Sequence, residues 1–150
     1  MTKKYEFTGE TKEWFGVALH RIRALVEIAA LGVSVGDLGG WIEKEENLSQ
    51  VSGDAWVSGN ALVSGNAQVL TVNVTATRTD NYTFLVAPTP EGPRIIAGCR
   101  YFTFDQAREH WTKTRGGTKL GDESLAIVDH LERMAKLNGF MEPVAIEKDA

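Results

Sequence analysis

A short hexapeptide-repeat parallel β-helix followed by a ββαα module, mainly β with a C-terminal α+β part, is the fold class this sequence predicts. Three observations predict it. A valine returns every six residues across 51–69, the period then drops to two, and a helix-capping signal with a helical apolar stripe follows toward the C-terminus. The repeat reads Val51-Ser52-Gly53-Asp54-Ala55-Trp56, Val57-Ser58-Gly59-Asn60-Ala61-Leu62, Val63-Ser64-Gly65-Asn66-Ala67-Gln68, with Val69 opening a fourth unit. A six-residue period would smear these valines around a helix of 3.6 residues per turn, so straight segments joined by corners fit it. Each valine turns inward, alanine lets the wall approach, and the Gly-Asn and Gly-Asp steps tolerate left-handed backbone at a bend.

The remaining elements follow in chain order. Within the N-terminal strand region, residues 1–32, Ile22, Ala24, Val26 and Ile28 alternate with Arg21, Arg23 and Glu27, which predicts a strand. Leu19, Ile22, Leu25, Val26 and Ala29 would also align on a helix, so helix against strand stays open over 17–30. The β-helix covers residues 33–77, with 33–50 as an irregular first coil bent tightly at Gly36-Asp37-Leu38-Gly39-Gly40. Val72, Val74 and Ala76 alternate with Thr71, Asn73, Thr75 and Thr77 as a strand with one wet face. The ββαα module with its tail covers 78–150. Asp80-Asn81 is a two-residue hairpin turn, and Pro88-Thr89-Pro90-Glu91-Gly92-Pro93 predicts a rigid loop. Ile95 to Phe102 read as one strand, with Cys99 on its apolar side and hence buried. Thr103 and Gln106 form a capping box opening a helix that runs through Arg115 to Gly116-Gly117. Asp122 begins a second helix, with Ile127, Val128, Leu131, Met134 and Ala135 on one face and Asn138-Gly139 at its end.

Composition narrows the function classes. The 150 residues are 43% hydrophobic and 24% charged with a net charge of −4, which opposes a disordered tail or a globally basic nucleic-acid binder. DNA is therefore not the expected partner. The single cysteine, Cys99, excludes an intrachain disulfide and a cysteine zinc cluster. No apolar run approaches the ~18 residues of a membrane span, and Met1 to Phe7 lack the apolar core of a signal peptide, so the expected setting is a cytoplasm. One coil of hexapeptides has open faces, so the chain is expected to associate with itself as a dimer or homotrimer.

Four segments carry a resemblance: Lys4-Tyr5-Glu6-Phe7-Thr8, Gly36-Asp37-Leu38-Gly39-Gly40-Trp41-Ile42-Glu43, Glu45-Glu46-Asn47-Leu48-Ser49-Gln50, and the repeat itself. Over residues 1–69 the chain resembles phage and prophage hexapeptide-repeat proteins of unassigned function. The stretches Ala97-Gly98-Cys99-Arg100-Tyr101-Phe102 and Glu109-His110-Trp111 also look like prophage sequences. The resemblance implies a left-handed β-helix and a phage-linked setting, and it carries no catalytic residues. The short array departs from the longer ones common among such proteins.

The richest chemistry lies between Arg100 and Lys119. Arg100, Arg108, Lys113, Arg115 and Lys119 stand against Asp105 and Glu109 in a chain of opposite net charge. Phe104, Arg108, Trp111 and Arg115 share one helix stripe, and arginine beside an indole suits an anion bearing a flat ring. Arg100, Arg108, Trp111, Arg115 and Lys119 are therefore the expected ligand-binding residues for an anionic nucleotide. The bland reading packs Phe104, Ala107 and Trp111 on the hairpin and leaves the cations solvated. Trp41 and Trp56 are the expected interface residues, with Trp56 an anchor if it faces outward. Cys99 and His110 would make a nucleophile–base pair if they met in space. Asp37 and Glu43-Lys44-Glu45-Glu46 suit a cation, a basic partner or simply a charged rim. His20, His110 and His130 lie outside 33–77 and lack ligand spacing, so neither a metal nor any other cofactor is expected.

The expected function is that of a non-enzymatic phage-type binding protein that intercepts a host component, antagonising antiviral defence by binding a host protein or a nucleotide signal. An acyltransferase of the hexapeptide type is the alternative enzyme, although no coil histidine supplies its base. A structural, self-assembling phage protein is the third reading.

Overall fold

The computed structural model describes residues 3–14, 16–51 and 54–145. Among the described residues, eight strands form two four-stranded sheets, and two α-helices follow them. The first sheet holds β1 (Tyr5–Trp14), β2 (Val17–Ala24), β3 (Leu38–Ile42) and β4 (Leu62–Val63) in that order. Its first two pairings are antiparallel and the last is parallel. The second sheet is an antiparallel meander of β5 (Val74–Thr77), β6 (Thr83–Thr89), β7 (Gly92–Ala97) and β8 (Arg100–Phe102). The helices are α1 (Phe104–Arg115) and α2 (Lys119–Leu137).

The expected parallel β-helix is not formed. Its parallel pairing amounts to Trp41↔Leu62 and Ile42↔Val63, plus an isolated bridge Leu48↔Val69. Val57, Val63 and Val69 are buried, and Gly59 and Gly65 take left-handed backbone at turns closed by Ala61 and Ala67 amides on Ser58 and Ser64 carbonyls. Val51 instead stands 51% exposed, and Ser52 and Gly53 lie outside the described residues. The physical reason is coverage. Three short units cannot shield their own open faces, and here antiparallel β2 and the second sheet close over the valines rather than further coils.

The second sheet is the middle layer of the molecule. Leu85, Ala87 and Ile96 join the core formed with Tyr5, Ile22, Ile42, Val57 and Val63. Their neighbours Phe84, Val86, Ile95 and Ala97 face Phe104, Trp111, Val128 and Leu131 of the helices. Successive side chains of a strand point to opposite faces, so a strand covered on both sides is apolar throughout. Every residue of β6 is buried accordingly.

Several local expectations need correction. Gly39 and Gly40 belong to β3 rather than to a bend; a Cβ on Gly39 would stand 2.7 Å from Ile22, Trp56 and Val57 atoms, so the strand needs their smallness. The expected rigid proline loop is a hairpin: Pro88 pairs with Pro93, and the Thr89 hydroxyl donates to the Gly92 carbonyl at 2.6 Å across a turn where Gly92 is left-handed. The strand expected from Ile95 to Phe102 breaks at Gly98, also left-handed, into β7 and β8. That break lifts Cys99 onto a turn, where it is exposed rather than buried. Residues 78–150 therefore hold three strands, β6, β7 and β8, before the two helices, and β5 just ahead of them completes the sheet. Thr103 and Gln106 cap α1 reciprocally, at the expected position, whereas α2 starts at Lys119 on a Thr118 cap, ahead of the expected Asp122.

Candidate functional site

A cleft of about 340 Å³ opens where the β5–β6 hairpin, the β7–β8 turn and α1 meet the end of β1. Trp14, Arg78, Asp80, Tyr82, Cys99, Arg100, His110, Trp111, Thr114 and Arg115 line it. The hairpin forms because Asn81 takes the left-handed conformation, closing Asp80-Asn81 between Thr77 and Thr83. This brings Arg78 inward. Its guanidinium donates to both Asp80 carboxylate oxygens, at 3.0 and 2.8 Å, and to the Ser124 hydroxyl of α2 at 3.1 Å. It also lies 4.5 Å from the Tyr82 ring centroid. The Arg78 hydrogen bonds hold the Asp80 carboxyl below its ordinary range. Arg78 is thus a neutralised wall, fixed by a bidentate partner.

Two other arginines of the lining are different. Arg100 and Arg115 are exposed, and neither makes an ion pair among the described residues. Two unneutralised guanidiniums facing one cavity repel each other, and an anion relieves that repulsion. Aromatic side chains line the same cleft. Trp111 is buried with its ring 4.7 Å from Phe84 and 4.9 Å from His110. Burial, then Arg100, pulls the His110 imidazole below its usual 6.5, so the ring is neutral at pH 7. Burial raises the Tyr82 phenol, which stays protonated and donates to the Ala97 carbonyl at 2.9 Å.

Of the five expected ligand-binding residues, Arg100, Trp111 and Arg115 meet in this cleft. Arg108 does not. It turns toward α2, donating to Asp129 at 2.9 Å and to Glu132, with Asp105 at 3.7 Å, and Glu132 and then Asp129 hold its pKa above the ordinary value. Helix spacing places a residue on a stripe, but a facing helix decides what its guanidinium meets. Lys119 opens α2 in solvent, outside the cleft lining. Cys99 and His110 both line the cavity, which the apolar alternation of β7 had hidden. Trp14, Arg78 and Tyr82 were not singled out from the sequence. Arg78 stands two residues from Asp80, a local signal for a bridged turn, whereas nothing local marks Trp14.

The other expected sites resolve as follows. Trp41 is buried, 6% exposed, against Leu19 and Leu62 with the Lys12 ammonium 4.3 Å above its ring. Trp56 is 5% exposed and forms part of the main core. Burial within the chain gives both indoles a packing role of their own. Trp56 also borders a larger cleft of about 410 Å³ with Leu31, Val33, Asp37 and Leu38. That cleft offers one carboxylate and no cation, so its chemistry is less directed. Glu43 accepts the Gly65 amide at 2.7 Å and Glu45 pairs with Lys3 at 3.1 Å, while Asp37 accepts the Ser34 amide at 2.8 Å. These carboxylates are engaged locally, and no group of three or more metal-ligating side chains occurs among the described residues. His20 stacks on Phe7 at 4.5 Å. No helix among the described residues is long and apolar enough to cross a membrane. Compared with protein-family models, with curated proteins and with solved structures, the chain matches none of them.

Proposed function

We propose that this chain is a non-enzymatic binding protein that takes an anionic ligand with a flat ring, of the nucleotide class, in the cleft beneath α1. One observation carries the reading: Arg100 and Arg115 make no ion pair among the described residues and line one cavity together with Tyr82, His110 and Trp111. Guanidinium binds phosphate through paired hydrogen bonds, and an aromatic wall receives a base by stacking. Cytoplasmic interception of a host nucleotide signal, within a phage-linked setting, is the biological role this proposal adopts. Titration calorimetry with AMP, cyclic AMP and ADP-ribose tests it. At least one ligand of the panel gives saturable heat, and Arg100→Gln or Arg115→Gln weakens it roughly tenfold or more, the scale of a charge-assisted hydrogen bond. Arg108→Gln, which touches α2 carboxylates, leaves binding unchanged. A panel without heat ends the proposal.

A second reading rests on Cys99 and His110 lining the same cavity. A neutral imidazole beside an exposed thiol is the arrangement that activates a cysteine nucleophile. Iodoacetamide labelling against pH separates the two readings. A labelling midpoint well below the ~8.5 of a free thiol favours the enzyme, and an ordinary midpoint favours the binding protein.

A further inference from the structure

Trp14 and Tyr82 line a second cleft, about 270 Å³, together with Lys12, Asn60, Leu62, Asn81, Thr83 and Gly98. The two cavities therefore flank one aromatic pair, whose ring centroids are 6.4 Å apart. The β7–β8 turn runs past both, Gly98 lining one and Cys99 and Arg100 the other. At Gly98 the rings close onto the backbone. A Cβ there would lie 2.9 Å from the Tyr82 hydroxyl and 3.1 Å from the Trp14 indole nitrogen. Each of the two clefts has cations in its lining. Lys12 makes no ion pair among the described residues, and its ammonium lies over Trp41. Arg100 and Arg115 line the other cleft. Burial, then Arg21, lowers the Lys12 pKa from 10.5, with Glu10 opposing, so an added anion nearby would restore it.

We infer that the two clefts act as one groove, and that its ligand carries two phosphates bracketing a base, as a 5′-phosphorylated dinucleotide does. The inference rests on the anion-binding reading of the Arg100–Arg115 cleft and extends it. One phosphate meets the arginines, the base lies along Trp14 and Tyr82, and the other phosphate meets Lys12. Base–aromatic contact with cations alongside is the general means of holding single nucleic-acid strands.

The test titrates the intact chain with AMP and with the 5′-phosphorylated dinucleotide pApA, read by calorimetry and tryptophan fluorescence. The dinucleotide is expected to bind at least tenfold tighter than AMP. Lys12→Gln, and separately Asn60→Ala, reduce that advantage while leaving AMP affinity as it was, whereas Arg115→Gln weakens both ligands. If pApA binds no tighter than AMP, or if the Lys12 variant weakens both equally, the extended groove is overturned while the arginine cleft stands. If neither ligand binds, both readings fall together.

Discussion

Replacing Gly121 with alanine reverses the sign that helix propensity assigns to it. In an unencumbered helix interior the change stabilises by ~1 kcal/mol, and near the first turn the gain is smaller. Gly121 has an ordinary backbone conformation, so no left-handed strain argues against it. The obstacle is packing. A Cβ on Gly121 would sit 2.0 Å from the Arg115 carbonyl oxygen and 2.7 Å from its carbon. That carbonyl cannot yield cheaply, because it accepts the Thr118 hydroxyl at 2.6 Å and the Thr118 amide at 3.2 Å. The same Thr118 hydroxyl oxygen caps the Gly121 amide at 3.1 Å. Overpacking against backbone costs about 3 kcal/mol, which leaves Gly121→Ala about 2 kcal/mol less stable. For a chain of this size that lowers the thermal midpoint by ~4–8 °C. Urea unfolding followed by circular dichroism measures it, and AMP titration adds a second readout because Arg115 is moved. A variant as stable as the parent, or more so, would refute the reasoning about the α1–α2 junction.

Equivalent repeat positions should respond unequally. Val63→Ala loses about 1.5–3 kcal/mol from a buried site, whereas Val51→Ala stays within about 0.5 kcal/mol; equal losses in denaturant would contradict the burial difference. Asp80→Asn leaves the buried Arg78 guanidinium with a weaker partner and costs about 1–2 kcal/mol, since the carboxylate itself is open to solvent. Its folded pKa lies below the 3.8 of the unfolded chain, so the contribution is present above pH 3.8 and disappears as pH falls through the lower folded value. A pH series of unfolding midpoints should show that acid loss in the parent and not in the variant. His110 acts in the same direction at higher pH. Its folded pKa lies below 6.5, so the unfolded chain takes the proton first and ligand-free stability declines as pH drops below 6.5. ADP-ribose, whose diphosphate stays ionised there, should bind more tightly over the same fall in pH, and His110→Gln should remove that rise.

The site was legible in part, and the division follows range. Arg100, Trp111 and Arg115 stood out because cations and an indole cluster within one helix and its approach, and local clustering survives folding. Arg108 obeyed the same helical spacing, yet Asp129 and Glu132 on α2 claimed it. Cys99 shows the converse error. Its place in an alternating run implied burial, and a left-handed Gly98 ended the strand one residue earlier. Trp14 reaches the cleft from the far end of β1, with no periodicity or motif to announce it.

What residues and their neighbours determine alone is the local chemistry of this chain: the Thr103 and Gln106 cap, the Asp80-Asn81 hairpin, the glycine turns at 59 and 65, and the inward facing of Val57 and Val63. These depend on backbone preferences and on contacts a few residues long, which a sequence displays directly. Only the tertiary structure decided what covers the valines. A buried face requires an apolar cover but does not specify its source, and antiparallel strands from before and after the repeat supplied it here. The same long-range choice brought β1 against the β7–β8 turn and so created the groove.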